Sequence, residues 1–494
     1  MSANAECAVP LLSLTKENVL LRHLTSKHYD KVFVVSDLHL GEGQDRWTKT
    51  YTLRENFLAD AAFGQLLTQE DPWSSLLILN GDTFDCLRVT DVPRSDDDFA
   101  KWAMLLESVD LAVQLKRPIP DEEVKFGMRT DDYKSIWKLD RIIAGHSRWW
   151  QTLVLWVGNG GHLIFVKGNH DLELHWEFVR RFLRLSLVDP TRNVSVNSVS
   201  TQVAFAESGL TIGNIYVEHG HQYEHMTMVD GSDTLPGNKS SQLRLPLGSF
   251  INRYFINRLE SLAPFIDNIK PVHKALMSLV RQRPIALGRI YTGGYRFLLR
   301  ILTVLTKPRG IVALGLWSAL LVPPLAVVVI IMWFTWPAFQ RQLIEWLPSL
   351  RSGTVRVAGS VGGITFPALV PYVIAVGSEF LRMFGWVKDR DKLEEAAVRL
   401  LAQTWPQGDY VVMGHTHRQT VRRVRTEPHD GYYINTGTWI GLWPLDRIDL
   451  SGKFIYSFAR FSRTLNGVFL HEALVWDDEA GEIRPATIQV PDDQ

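Results

Sequence analysis

Seven side chains of metal-ligating type stand in five short motifs, each closing an apolar run: Asp37 and His39 in SDLHLG, Asp82 in NGDTFD, Asn169 in KGNHD, His219 in EHGH, and His415 and His417 in GHTH. Oxygen and imidazole donors without thiolates suit a borderline divalent cation such as manganese, iron or zinc better than calcium or a structural zinc site. Asp37 and His39, one residue apart, would point the same way in extended backbone and offer one oxygen and one nitrogen to an ion. Asp82 is the natural bridge, because the two oxygens of one carboxylate can ligate two ions and cations about 3.5 to 4 Å apart need such a bridge to offset their repulsion. A hydroxide held between the two ions would form near neutral pH and attack phosphorus in line. His170 directly follows Asn169 and is expected to protonate the leaving group, with Asp171 orienting its ring. Manganese is the first expectation for both ions, with iron or zinc as alternatives. His175, His221 and His225 lie close by in sequence and read as neighbours of the ligands or surface histidines.

Any one of these motifs alone reads equally well as a turn or a helix cap. Five in order, each after a strand-like run, make the signal. Residues 31–36, 75–80, 162–167, 214–218 and 409–413 are short runs rich in Val, Ile, Leu, Tyr and Phe, stopped by Gly, Asp or a polar motif. They predict buried strands of an α/β fold, whose carboxyl ends gather distant loops into one crevice. Residues 97–156 have helical spacing with many Trp, predicting a helical insertion beside the sheet. Residues 468–476 predict a late strand, with turn residues at 477–481 before Ile483.

The chain has 494 residues, enough for a full core with large insertions, and balances 53 basic against 53 acidic residues. That balance gives no general reason to expect nucleic acid as a partner. Two cysteines, Cys7 and Cys86, cannot build a disulfide framework and fit a reducing compartment. The first thirty residues lack the apolar stretch of a secretory signal, so the amino terminus is expected in the cytosol.

Residues 310–340 carry no charge and exceed the roughly 20 residues a helix needs to cross a bilayer. Arg309 and Arg341 bracket them, and Pro323 and Pro324 would kink the helix. A second uncharged run, 357–378, is weakened by its glycines and prolines. The motifs before and after must meet, so an even number of crossings is required, and a helical hairpin supplies it. Seven basic residues from Arg281 to Arg309, with no acidic one among them, would put the catalytic part on the cytoplasmic side. The expected organisation is a catalytic part in 1–240, a helical and membrane-inserted part in 241–405, and the rest of the catalytic part in 406–494.

The five motifs resemble the calcineurin-like metallophosphoesterase superfamily, whose pattern DxH, GDxxD, GNH[DE], Hx and GHxH they meet. The resemblance covers roughly 31–220 and 409–439. It implies a four-layer αββα sandwich with two metals at the sheet ends: Asp37, His39, Asp82 and His417 on one ion, and Asp82, Asn169, His219 and His415 on the other. SDLHLG, EHGH, GHTHR and INTGTW at 434–439 look most like the UDP-2,3-diacylglucosamine pyrophosphatase-like branch. That branch has Arg where this chain has His170, and it lacks a long apolar hairpin before the last motif. The expected activity is hydrolysis of a phosphodiester or pyrophosphate bond in a lipid-linked substrate at the cytoplasmic membrane face. The alternatives are a nuclease or cyclic-nucleotide phosphodiesterase, and a non-catalytic membrane scaffold.

Overall fold

The computed structural model describes residues 9–45, 47–224, 226–229, 231–237, 241–266, 268–270, 278–279, 281–283, 285, 392–405, 408–425, 430–441, 443–444 and 455–486. The apolar segments 310–340 and 357–378 lie outside the described residues, as does His225. Among the described residues no helix is long and apolar enough to cross a membrane.

In chain order the strands are β1 (Lys31–Val35), β2 (Ser75–Asn80), β3 (His162–Val166), β4 (Val203–Ala206), β5 (Leu210–Ile212), β6 (Ile215–Val217), β7 (Ile269–Lys270), β8 (Tyr410–Met413), β9 (Thr420–Val424), β10 (Gly431–Asn435), β11 (Trp443–Pro444), β12 (Ile455–Arg463), β13 (Phe469–Asp477) and β14 (Glu482–Pro485). They form a seven-stranded sheet in the order β14-β13-β12-β1-β2-β3-β4, a five-stranded sheet in the order β5-β6-β8-β10-β9, and the short pair β11-β7. Strands β1 to β4 run parallel, and β12 pairs antiparallel with β1. In the second sheet β6, β8 and β10 are parallel, with β5 and β9 antiparallel at the edges. The register sets the carboxyl ends level: Val35 lies beside Leu79 and Asn80 beside Val166, while Val217 lies beside Val412 and Met413 beside Asn435.

The inner strands β1 to β4, β8 and β10 are largely buried on both faces, which is why they read as near-continuous apolar runs. From β1, Val32 and Val34 join Leu76, Ile78, Ile164 and Val166 and pack across to Ile215, Val217, Val412 and Ile434 of the other sheet. Phe33 and Val35 face the opposite way, into a cluster with Leu77, Phe165, Trp102, Trp137, Trp149 and Leu183. On the far side Val411, Met413 and Tyr433 pack against Leu393, Ala396 and Ala397, which belong to the helix Lys392–Arg399. The layers run helix, sheet, sheet, helix, an α/β sandwich of two mixed sheets.

The segment expected as a helical insertion is α-helical and is part of the outer layer. After α1 (Leu14–Thr25) and α2 (Asp60–Thr68) come α3 (Asp96–Ser108), α4 (Asp121–Phe126), α5 (Asp132–Gly145) and α6 (Ser147–Gly158), then α7 (Glu177–Leu187) and α8 (Val196–Gln202). Helix α3 opens with a reciprocal cap in which the Ser95 hydroxyl accepts from the Asp98 amide and the Asp98 carboxylate accepts from the Ser95 amide. Helix α6 buries Trp149, Trp150, Leu153, Val154, Trp156 and Val157, a spacing of three to four that makes one apolar stripe. Each such large side chain contributes about 1.5 to 3 kcal/mol by leaving water. The many tryptophans of this segment are therefore core.

Contacts divide the chain into two compact units, Met1–Lys270 with Arg390–Gln494, and Pro271–Asp389. The division falls at 270 and 390 and not at the expected 240 and 406. The reason is local packing: Asn257 Nδ2 donates to the Leu87 carbonyl at 2.6 Å and Ser249 Oγ to the Asn169 carbonyl at 3.2 Å, holding 247–260 on the motif loops. The helix Lys392–Arg399 is bound to the second sheet in the same way, by its apolar face.

Candidate metal centre

All five motifs emerge at carboxyl ends of parallel strands, three from the larger sheet and two from the smaller. Asp37 and His39 do not lie in extended backbone as the one-residue spacing suggested: their φ angles are +55° and +53°. Asp82, His415 and His417 are also left-handed, at +50°, +70° and +58°. Such backbone costs a non-glycine residue roughly 1 to 2 kcal/mol and persists only where its surroundings hold it. Here the loops zip together. Asp37 N donates to the Gly81 carbonyl at 3.2 Å, His39 N to the Asp82 carbonyl at 2.8 Å and Asp85 N to the Leu40 carbonyl at 2.7 Å. The glycines before Asp82 and His415 leave room for this approach: a Cβ on Gly81 would lie 2.4 Å from the His219 ring, and one on Gly414 would lie 2.4 Å from Ser36 Oγ.

Two donor groups result. Asp37, His39 and His417 form one, and Asp82, His219 and His415 the other, with ligand atoms in each within 4.8 Å of one another. His39 Nε2 and His417 Nε2 face each other at 3.0 Å, and His417 Nε2 lies 3.3 Å from Asp37 Oδ1. Asp82 Oδ2 lies 3.8 Å from His39 Nε2 and 3.3 Å from His219 Nε2, so a single oxygen faces both groups. The other oxygen, Oδ1, accepts from the His170 amide at 2.8 Å. Only Oδ2 of Asp82 therefore faces both donor groups, while Oδ1 faces the backbone of the third motif. His219 is fixed as a tautomer by Nδ1, which donates to the Asn80 carbonyl at 2.9 Å. His415 Nε2 lies 3.1 Å from Glu224 Oε2.

Burial without partners marks the same atoms. Asp37 Oδ1, Asn169 Oδ1 and His219 Nε2 are buried and have no hydrogen-bond partner among the described residues, a costly state unless a cation takes their lone pairs. Burial alone would push the Asp82 carboxyl up, but the charges of His219 and His170 hold it well below the usual range. Burial disfavours a charged His39, yet the neighbouring Asp37 and Asp85 carboxylates raise its pKa to about 10. His219 is raised to about 9 against burial, by Asp82. A buried cluster of carboxylates and imidazoles such as this could hold metal ions.

The expected partnership of His170 with Asp171 is not formed. His170 Nδ1 instead lies 2.9 Å from Asp85 Oδ2. Asp171 is turned into the backbone, where Oδ1 accepts from Gly168 N at 2.6 Å and Oδ2 from Thr83 N at 2.8 Å. Burial and the nearby Asp82 charge raise its carboxyl to about 7. Asp85, the last residue of NGDTFD, is the acid that sequence reasoning left without a role. Its signal was its place as the second acid of NGDTFD, three residues after Asp82. His170 also falls within a donor group with His39 and Asp82.

INTGTW contributes the remaining frame. Thr436 Oγ1 lies 2.6 Å from Ser36 Oγ, Asn435 Nδ2 donates to the Gly414 carbonyl at 2.5 Å, and Thr438 Oγ1 donates to the Asp37 carbonyl at 2.8 Å. His221 lies near the donor groups, its ring 5.4 Å from that of His219 and tilted by 44° to it. His175 lies elsewhere, with Glu207 and Asp233, where Lys167 Nζ already sits 2.6 Å from Glu207 and 3.3 Å from Asp233. Comparison with protein-family models finds no match, and comparison with curated proteins finds no significant one.

Proposed function

We propose that the chain is a metallophosphoesterase that binds two divalent cations, manganese first, and hydrolyses a phosphodiester or pyrophosphate bond in a lipid-linked substrate at the cytoplasmic membrane face. One observation carries the metal part: Asp82 Oδ2 stands between two donor groups, 3.8 Å from His39 Nε2 and 3.3 Å from His219 Nε2. Asp37, His39, Asp82 and His417 would hold one cation, and Asp82, Asn169, His219 and His415 the other. Such a pair, when bound, activates water near neutral pH and neutralises charge on the phosphoryl oxygens.

The chain's own residues supply the rest. Ser36 Oγ and the His415 amide hold Asp37 Oδ2 at 2.5 and 2.8 Å, leaving Oδ1 to the centre. The Asn80 carbonyl keeps the proton of His219 on Nδ1, so that Nε2 is free to ligate. His170, held through Nδ1 by Asp85 and partly exposed, presents its other nitrogen as a proton donor to a departing oxygen. The lipid part of the reading rests on the apolar segments 310–340 and 357–378.

The test is turnover of bis-p-nitrophenyl phosphate after dialysis against chelator and after return of manganese. Asp82→Asn should cut the restored rate by at least about 100-fold while the protein stays folded. A near-normal rate in that variant, or full activity in the chelated protein, would remove the proposal. A panel of phospholipids, nucleotide-sugar lipids, nucleic acids and soluble esters then tests the substrate class, and preference for soluble esters or nucleic acid would defeat the lipid assignment.

A further inference from the structure

One oxygen orients the proposed proton donor, and it is shared. Asp85 Oδ2 lies 2.9 Å from His170 Nδ1, 3.5 Å from His39 Nδ1 and 2.8 Å from Arg88 Nε. Asp85 is fully buried and Arg88 is 2% exposed, so no water competes for this charge. A carboxylate so placed could turn toward either histidine, and what selects His170 is the direction from which its counter-charge arrives. Arg88 follows three residues after Asp85 and clamps the carboxylate with Nε.

Arg88 is itself held at its other end. Its NH1 pairs with the carboxylate of Glu260 and donates to the Arg54 carbonyl at 3.1 Å. Glu260 is fully buried at the end of the helical stretch 247–260. That stretch is fixed to the motif loops at two further points: Asn257 Nδ2 donates to the Leu87 carbonyl at 2.6 Å and Ser249 Oγ to the Asn169 carbonyl at 3.2 Å. A buried Arg between two carboxylates has its planar fork fixed from both sides, which a lysine's point charge would not reproduce.

We propose that Arg88 and Glu260 are positioning residues for His170, acting through Asp85, so that a residue far beyond the second motif, Glu260, helps set the aim of the proton donor. The inference rests on the reading of the chain as a phosphoesterase with His170 as the acid. A proton donor matters most for a poor leaving group, so loss of aim has a signature that general damage lacks.

The experiment uses the full-length, manganese-loaded protein and ethyl phosphodiesters of p-nitrophenol, phenol and p-methylphenol. Glu260→Gln and Arg88→Lys should lower kcat about 10-fold for the two poorer leaving groups and leave the p-nitrophenyl ester within about twofold, with KM and bound manganese unchanged. In a His170→Ala background Glu260→Gln should add nothing. Glu260→Gln keeps the volume and an acceptor oxygen, so it serves if Glu260→Ala fails to fold. Equal loss on all three esters, additive loss in the His170→Ala background, or loss of manganese would overturn the positioning role alone. A wild-type protein inactive on every ester would overturn the phosphoesterase reading, and this inference with it.

Discussion

At the scale of single residues, the site depends on side chains brought inward by backbone that few residues adopt. Five donors, Asp37, His39, Asp82, His415 and His417, are left-handed, and aspartate and histidine are among the few residue types enriched there. The same loops separate two acids that look equivalent in the sequence. Asp85 reaches the rings of His170 and His39, whereas Asp171 ties Gly168 N and Thr83 N into one turn. Asp85→Asn should therefore lower turnover about 10- to 100-fold, and it should also cost stability because it removes a buried counter-charge of Arg88. Asp171→Asn should cost about 1 to 3 kcal/mol in denaturant unfolding, because buried amides lose an ionisable acceptor, with the smaller effect on turnover. A larger loss of turnover in Asp171→Asn than in Asp85→Asn, measured by paired kinetics on folded protein, would return the orienting role to Asp171.

At the scale of elements, the helices over the larger sheet are tied to the first motif loop through one histidine. His146, between α5 and α6, places Nε2 3.2 Å from Glu55 Oε2 and Nδ1 3.1 Å from Asp60 Oδ2. Glu55 in turn accepts from Gly43 N at 2.6 Å and Phe57 N at 2.8 Å. Burial opposes the charge of His146, but Glu55 and Asp60 raise its pKa from 6.5 to about 9. A histidine whose folded pKa is raised stabilises fully below its unfolded value, and that contribution is lost as pH rises through the folded one. Between about pH 6.5 and 9 the wild-type protein should lose on the order of 3 kcal/mol from this clamp, at about 1.4 kcal/mol per unit. Thermal unfolding across that range should show the slope in the wild type and a flatter profile in His146→Gln; equal slopes would dismiss the clamp. The apolar runs of β1, β2, β3 and β8 predicted strands, whereas β4, β5, β9 and β10 were missed, the short β4 although it is fully buried. Also missed was β12, which pairs with β1: its sequence IYSFARFSR mixes Arg and Ser with aromatics, and only its central neighbours bury it.

At the scale of the whole molecule, the proposed cation binding to unpartnered buried donors would make folding and cation uptake one equilibrium. A ligand at 100 times its dissociation constant adds about 2.7 kcal/mol to stability, so manganese should raise the melting temperature and chelator should lower it. A melting point indifferent to both would argue against a site in the folded protein. The sequence of 310–340 and 357–378 gives a separate expectation: the protein should stay with membranes through high-salt and carbonate washes. Release by salt alone would rule out insertion.

Residue types and order were enough to read the strands β1, β2, β3, β6 and β8 and to single out Asp and His side chains that the fold gathers at their ends. A buried parallel strand announces itself by an unbroken apolar run, and a ligand must be an atom able to bind a cation. What only tertiary structure decided was which partner each donor faces. Asp82 offers one oxygen because His170 N takes the other, and Asp85 serves His170 because Arg88 and Glu260 lie behind it. Such choices depend on contacts between residues up to hundreds of positions apart, and on backbone angles set by those contacts, so no local pattern could have carried them.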